Sequence, residues 1–305
     1  MGSVVQAGQF AHLSNGMRLH FASAGSPGRP LLLFVHGFPQ AWFAWEAQLE
    51  AFAAQFYAVA VDLRGFNLSD KPAQVAAYRP RHIVEDLRLL IAHLGYRQAS
   101  IVAHDWGGAL AWNLAIHAPE SVRTLVIVNA PHPYLFAQQL RADPAQRAAS
   151  AYMNWLRAAG SEQRLAADEY GRLDALFGVG GGMPAWYDAR LRERYHAMWA
   201  IPGEGGSHGL TGGINYYRAS PLHPPTPDNP APGLEMQLQQ WIVRVPVRVL
   251  WGMQDSALLA CLLEGLELLC PDLQITRIPD ASHWLIHEQP ARVTALIAQA
   301  LGAEC

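Results

Sequence analysis

Ala103-His104-Asp105-Trp106-Gly107-Gly108 sets a carboxylate among small residues, directly after an apolar run and directly before a helical pattern. A strand-to-helix turn that sharp tolerates only small neighbours, and it holds its central residue exposed at the carboxyl edge of a sheet as a nucleophile elbow. The central residue here is aspartate, not serine. A carboxylate attacks an sp³ carbon that carries a leaving group, and the product is an ester between substrate and enzyme. A water deprotonated by a base must then hydrolyse that ester. Read alone, the same residues describe an ordinary turn with Asp105 as a helix cap.

Three other segments supply what such chemistry needs. His36-Gly37-Phe38-Pro39 follows the apolar run Leu31–Val35, where a loop contributes a backbone N–H to an oxyanion hole. Asp255 follows the run Val245–Trp251, and His283 follows Gln274–Ile278. A lone Asp255 reads as a cap and a lone His283 as a loop histidine. Their joint placement after four strands, in the order nucleophile, acid, histidine, makes a catalytic triad the better account.

The elements that carry these residues are legible in the apolar pattern. Phe10–Leu13 and Met17–Phe21 flank Asn15-Gly16, which predicts a β-hairpin with a type I′ turn. Continuous apolar runs at Leu31–Val35, Tyr57–Val61, Ala99–Ala103 and Thr124–Val128 suit strands buried on both faces of a parallel sheet. Helical periods lie between them; Ile83, Val84, Leu87, Leu90, Ile91 and Leu94 share one face that Gly95 ends. Alternation stops after Asn129. From Pro133 to about Pro232 the chain is helical and rich in Trp, Tyr and Met, interrupted at Gly180–Gly182 and closed by the Pro-rich stretch Pro221–Gly233. It resumes with strands at Val245–Trp251 and Gln274–Ile278, each expected to precede a helix. The fold class is therefore α/β, with a core over residues 1–132 and 233–305 and a helical insertion over 133–232.

Composition narrows the partners. The 305 residues are 51% apolar and 15% charged with formal net charge −3, enough for a large core and too near neutral for a nucleic-acid binder. Cys261, Cys270 and Cys305 have no motif spacing, and no histidine–carboxylate spacing suggests a metal. Met1–Ala11 lacks a secretory pattern, Gln6 weakens myristoylation, and no apolar run reaches the ~20 residues of a membrane span. A cytoplasmic protein with no cofactor is expected, and a homodimer is left open.

The chain resembles the α/β-hydrolase superfamily over nearly its whole length, and within it the epoxide hydrolases. The resemblance rests on His36-Gly-Phe-Pro39, Asp62-Leu-Arg-Gly65 with Ser69-Asp70, His104-Asp-Trp-Gly-Gly108, Asn129-Ala-Pro-His-Pro133 and Ser282-His-Trp284. Ala103 departs from the glycine of many members but stays small. The resemblance implies an eight-stranded, mostly parallel sheet with a helical cap inserted after the sixth strand. It implies Asp105 as nucleophile, His283 as general base, Asp255 as its orienting partner, and the N–H groups of Phe38 and Trp106 as the oxyanion hole.

The leaving group separates the members. An epoxide oxygen leaves well when a proton donor meets it, and epoxide hydrolases use two cap tyrosines. Ile214-Asn-Tyr-Tyr217-Arg218 resembles the second-tyrosine motif, and Tyr152 is its expected companion. A halide would want N–H donors, for which Trp106 and Trp155 are candidates, so a haloalkane or haloacid dehalogenase is the alternative. A non-catalytic ligand-binding scaffold is the remaining one. Phe38, Trp106 and Trp155 are expected to contact a small apolar electrophilic substrate. Asp62–Asp70 reads as a structural loop, the cap aromatics Trp155, Phe177, Trp186, Trp199 and Tyr216 mostly as packing with one or two lining the pocket, and Gly212-Gly213 as a point of cap movement.

Overall fold

The computed structural model describes residues 5–178, 182–226 and 236–303. Gly180, Gly181, Cys305 and the 227–233 part of the Pro-rich stretch, with the domain boundary expected at 232/233, lie outside the described residues.

Eight strands form one sheet: β1 Gln6–His12, β2 Arg18–Ala24, β3 Leu31–Val35, β4 Tyr57–Val61, β5 Ala99–His104, β6 Val122–Val128, β7 Val247–Gly252 and β8 Leu273–Ile278. Their order is β1-β2-β4-β3-β5-β6-β7-β8. The β1–β2 and β2–β4 pairs are antiparallel and every other pair is parallel. All five residues of β3 and all five of β4 are buried, as strands covered by helices on both faces require.

The β1–β2 turn differs from expectation. Gly16 has φ +85°, while Asn15 is absent from the positive-φ residues, so the turn is not type I′. Gly16 N–H donates to Leu13 O at 2.9 Å and Leu13 N–H to Met17 O at 2.8 Å. This is a three-residue loop in which only the last position needs the left-handed region.

The core helices are α1 Glu46–Phe52, α2 Pro80–His93 and α3 Asp105–His117. Pro80 starts α2 where no N–H is required, and Gly95 at φ +88° ends it. The N–H of Gly95 returns to Ala92 O and that of Tyr96 to Ile91 O, a Schellman closure. Buried residues face several directions on α3, including Leu110, Ala111, Trp112 and Leu114, because this helix is enclosed beneath the site.

Between β6 and β7 lie α4 Pro133–Ala142, α5 Pro144–Ala149, α6 Tyr152–Arg157, α7 Ser161–Leu176, α8 Ala189–Ala200 and α9 Thr211–Ala219. Left-handed backbone at Asp168, Glu169 and Tyr170 breaks α7. Phe177 sits at the centre of an aromatic cluster with Trp186, Tyr187, Tyr195, Trp199 and Trp284. After β7 come two 3₁₀ turns, Ala260–Leu263 and Leu266–Leu268, where a helix was expected. The chain then ends on α10 Leu285–Glu288 and α11 Pro290–Leu301.

Gly212-Gly213 has a packing role. A Cβ on Gly212 would stand 2.3 Å from Gly65 O, and one on Gly213 would stand 2.9 Å from the Phe38 ring. The pair lets α9 press onto the core loops. Asp62 accepts from Trp42 N–H, from Asn67 and from His20, while Arg64 makes a bidentate pair with Asp86, so the 62–70 loop is a packed structural turn.

Candidate active site

Asp105 leaves β5 at φ +51°, a strained left-handed conformation for a residue with a side chain. Space is the reason for its small neighbours. A Cβ on Gly107 would lie 2.5 Å from the carbonyl oxygens of Val35 and His36, and one on Gly108 2.2 Å from Ala130 Cβ. Gly37 is equally constrained, since its Cβ would lie 2.2 Å from Asp105 Oδ1.

The carboxylate of Asp105 is split between two surroundings. Oδ1 accepts from Phe38 N–H at 2.8 Å, and the Trp106 backbone N–H also bonds the carboxylate. Oδ2 points the other way and lies 3.8 Å from His283 Nε2. Asp255, beyond the end of β7, accepts from His283 Nδ1–H at 2.7 Å through Oδ2. Its Oδ1 is held by the backbone N–H groups of Ala257 and Leu258 at 2.9 Å. Because Asp255 can only accept, the Nδ1 proton is fixed, and a neutral His283 presents the lone pair of Nε2 toward Asp105.

Two further residues complete this frame. Asn129, at φ +39° after β6, donates to Asp255 Oδ2 at 2.7 Å and accepts from Gly252 N–H at 2.8 Å. His104 Nε2–H donates to the backbone carbonyl of His283 at 2.8 Å, which ties the strand-to-helix turn to the loop carrying His283. Neither role was read from the sequence, although both residues stand inside quoted motifs. Nothing in a side chain's identity says which loop it reaches after folding.

Charge follows from this burial. Burial lifts the Asp105 pKa, against the pull of His283 and the two backbone N–H groups. Burial alone would lower the His283 pKa, but Asp255, with a contribution from Asp105, carries it above the ordinary histidine value. For Asp255 burial is outweighed by His283 and the hydrogen bonds it accepts, so its pKa is lowered.

The tyrosines stand on the opposite side. Tyr152 opens α6 and Tyr217 lies on α9, with ring centroids 6.1 Å apart and nearly perpendicular planes. Tyr217 also packs edge-on against Trp106 at 5.1 Å and Phe38 at 5.4 Å. Burial raises the pKa of both phenols far above the ordinary value, and the Asp105 charge adds to the effect. Both phenols therefore hold their protons across the physiological range. Trp155, on the same short helix as Tyr152, is turned away from the site: its ring lies beneath the guanidinium groups of Arg164 and Arg172. It is not among the residues that line the two cavities beside Asp105.

Asp105, Tyr152 and Tyr217 line two cavities at once. One, of about 190 Å³, is walled mainly by apolar side chains such as Pro131, Phe136, Met153, Leu222, Trp241 and Leu258, and also by Trp106. The other, of about 460 Å³, contains His283, Asp255, Gln254, Ser256, Ser282 and Phe38. No helix among the described residues is long and apolar enough to cross a membrane.

The family model described as the alpha/beta hydrolase fold matches residues 30–290. The chain is 34% identical over 294 residues to AB hydrolase superfamily protein YfhM of Bacillus subtilis, covering 94% of this chain and 96% of that protein. It is 32% identical over 290 residues to human epoxide hydrolase 4, covering 93% of this chain and 75% of the relative. The crystal structure of Bacillus megaterium epoxide hydrolase with an inhibitor superposes with a TM-score of 0.84 at 33% identity, over 96% of this chain and 100% of that one. The chain belongs to the α/β-hydrolase fold family, in its epoxide hydrolase branch.

Proposed function

We propose that this protein hydrolyses epoxides to vicinal diols in two steps, with residues 133–232 as the helical cap that supplies the acid. What supports the reading is that Tyr152 and Tyr217 line the same two cavities as Asp105, whose Oδ2 lies 3.8 Å from His283 Nε2. In the first step Asp105 Oδ2 displaces the epoxide oxygen from one ring carbon. Tyr217 and Tyr152 hydrogen-bond that oxygen, and one of them passes it a proton. The product is a hydroxyalkyl ester of Asp105.

In the second step His283 Nε2 takes a proton from water, and the resulting hydroxide attacks the Asp105 carbonyl carbon. Asp255 stabilises the imidazolium so formed. The tetrahedral oxyanion develops on Oδ1, where the N–H of Phe38 already donates, with the Trp106 N–H bonded to the same carboxylate. Collapse expels the diol's second oxygen as an alkoxide, which takes up the remaining proton of the attacking hydroxide and leaves the carboxylate restored. The imidazolium proton then returns, through solvent, to the tyrosinate left by the first step. No step calls on a metal or an organic cofactor.

A dehalogenase with the same triad would need N–H donors at the leaving group, and Trp155 is directed elsewhere. The deciding assay incubates purified protein with aryl and alkyl epoxides, haloalkanes and haloacetates, and measures diol and free halide together. Diol without halide is expected; halide release would replace the tyrosine-assisted reading by the dehalogenase one.

A further inference from the structure

The two tyrosines sit on helices remote in sequence and short enough to need outside support. Helix α6 spans only Tyr152–Arg157, and α9 spans Thr211–Ala219. Helices of this length are not stable alone. Arg157, the last residue of α6, extends its guanidinium to the carboxyl end of α9. There it donates to the carbonyl of Tyr217 and, at 3.0 Å, to that of Ser220. The return contact comes from Arg218, the residue after Tyr217. Its guanidinium reaches Arg157 O at 3.4 Å and Ala158 O at 3.3 Å, both at the end of α6. Glu162, at the start of α7, holds Arg218 through an ion pair and a second contact at 2.9 Å.

Each arginine thus caps the other helix's last carbonyls, groups that a helix leaves unpaired and that favour a cation. Burial lowers the Arg157 pKa, and no carboxylate is a cause of its shift. An arginine held partly out of water only to bond backbone carbonyls is an expensive way to pack two helices, unless their separation matters.

We infer that Arg157 and Arg218 are positioning residues that fix the spacing of the two phenol hydroxyls over Asp105. This rests on the reading of Tyr152 and Tyr217 as proton donors. Burial and the neighbouring Asp105, with Asp255 at Tyr152 and with Tyr152 and Trp106 at Tyr217, shift the two phenols, so the clamp acts through geometry and not through charge on the phenols. A misplacement of about 1 Å at a reacting group can cost about 10²-fold in rate, which sets the scale on which such a clamp acts.

The test is single-turnover kinetics with styrene oxide, following ester formation and ester hydrolysis separately by rapid quench and mass of the Asp105 peptide. Arg157→Met is expected to slow ester formation by about tenfold while leaving ester hydrolysis, which uses His283 and not the tyrosines, at the wild-type rate. Arg157→Lys should recover part of the loss. The effect should vanish in a Tyr152→Phe, Tyr217→Phe background, because there is then no pair to space. Glu162→Gln, which leaves both arginines in place but removes the anion holding Arg218, should give a smaller loss in the same step, and it serves if Arg157→Met fails to fold. Equal slowing of both steps, or an unchanged loss in the double-phenylalanine background, would overturn the clamp while leaving the donors intact. If the double-phenylalanine protein itself forms ester at the wild-type rate, the donor reading fails and the clamp falls with it.

Discussion

Asp105 Oδ1 accepts the backbone N–H of Phe38 at 2.8 Å, so the candidate nucleophile already occupies the oxyanion hole that its own ester will need. The two carboxylate oxygens are thereby given different fates before any substrate arrives. In the proposed mechanism Oδ2 becomes the ester oxygen, and Oδ1 becomes the carbonyl oxygen of the group that water attacks.

That division predicts where solvent oxygen goes. In a single turnover run in ¹⁸O-water with enzyme in excess, the diol should leave unlabelled and Asp105 should gain the label. Labelled diol in the first turnover would mean direct attack of water on the epoxide.

Removing the base should separate the two steps. His283→Gln is expected to form the ester and then stall, with hydrolysis slower by roughly 10²–10⁴-fold. A mass increase equal to the substrate on the Asp105 peptide checks it; an unmodified peptide counts against the two-step scheme. Asp105→Ala should give neither ester nor diol.

Ester formation also changes the base. The Asp105 charge is one of the influences that raise the His283 pKa, and esterification removes it. His283 should therefore titrate at lower pH in the ester than in the free protein. Since the base must be neutral to act, hydrolysis should be lost as pH falls through the ester-state value. Comparing the pH profile of single-turnover hydrolysis with an NMR titration of His283 in free protein measures both; a profile midpoint at or above the free value would contradict this.

Tyr217→Phe should slow epoxide opening by about 10²-fold or more, within the usual range for a general acid. Hydrolysis of a preformed ester should stay unchanged. A loss shared equally by both steps would argue that the phenol only packs.

Gly37→Ala tests the packing of the hole itself. A methyl 2.2 Å from Asp105 Oδ1 must displace either the carboxylate or the loop. Ester hydrolysis should fall by about 10²-fold, and the fall should exceed the change in thermal stability. Full activity would mean the loop relaxes without cost.

The sheet was readable because runs such as Leu31–Val35 are apolar for a reason that acts at every residue, burial on both faces. The elbow was readable because steric demand restricts residue types locally. Relationships set by distant contacts were not. Gly212 reads as flexible in sequence, yet its missing side chain admits the backbone of Gly65. Trp155 lies three residues after Tyr152 on α6, and its contact with the Arg164 guanidinium is set by where α7 packs, which its own position in the sequence does not tell. Asn15-Gly16 failed as a type I′ signal because Leu13 and Met17 pair around a loop one residue longer.

The proposed nucleophile and the proposed acids come from different layers: Asp105 grows from the sheet, whereas both phenols ride on helices outside it. On the proposed mechanism reactivity is therefore a property of their registration, which no single layer possesses. An electrophile that reaches Asp105 while the helices are displaced meets a carboxylate with no proton to offer its oxygen. Selectivity for substrates that can be held between the layers is thus built into the assembly before any pocket wall is considered.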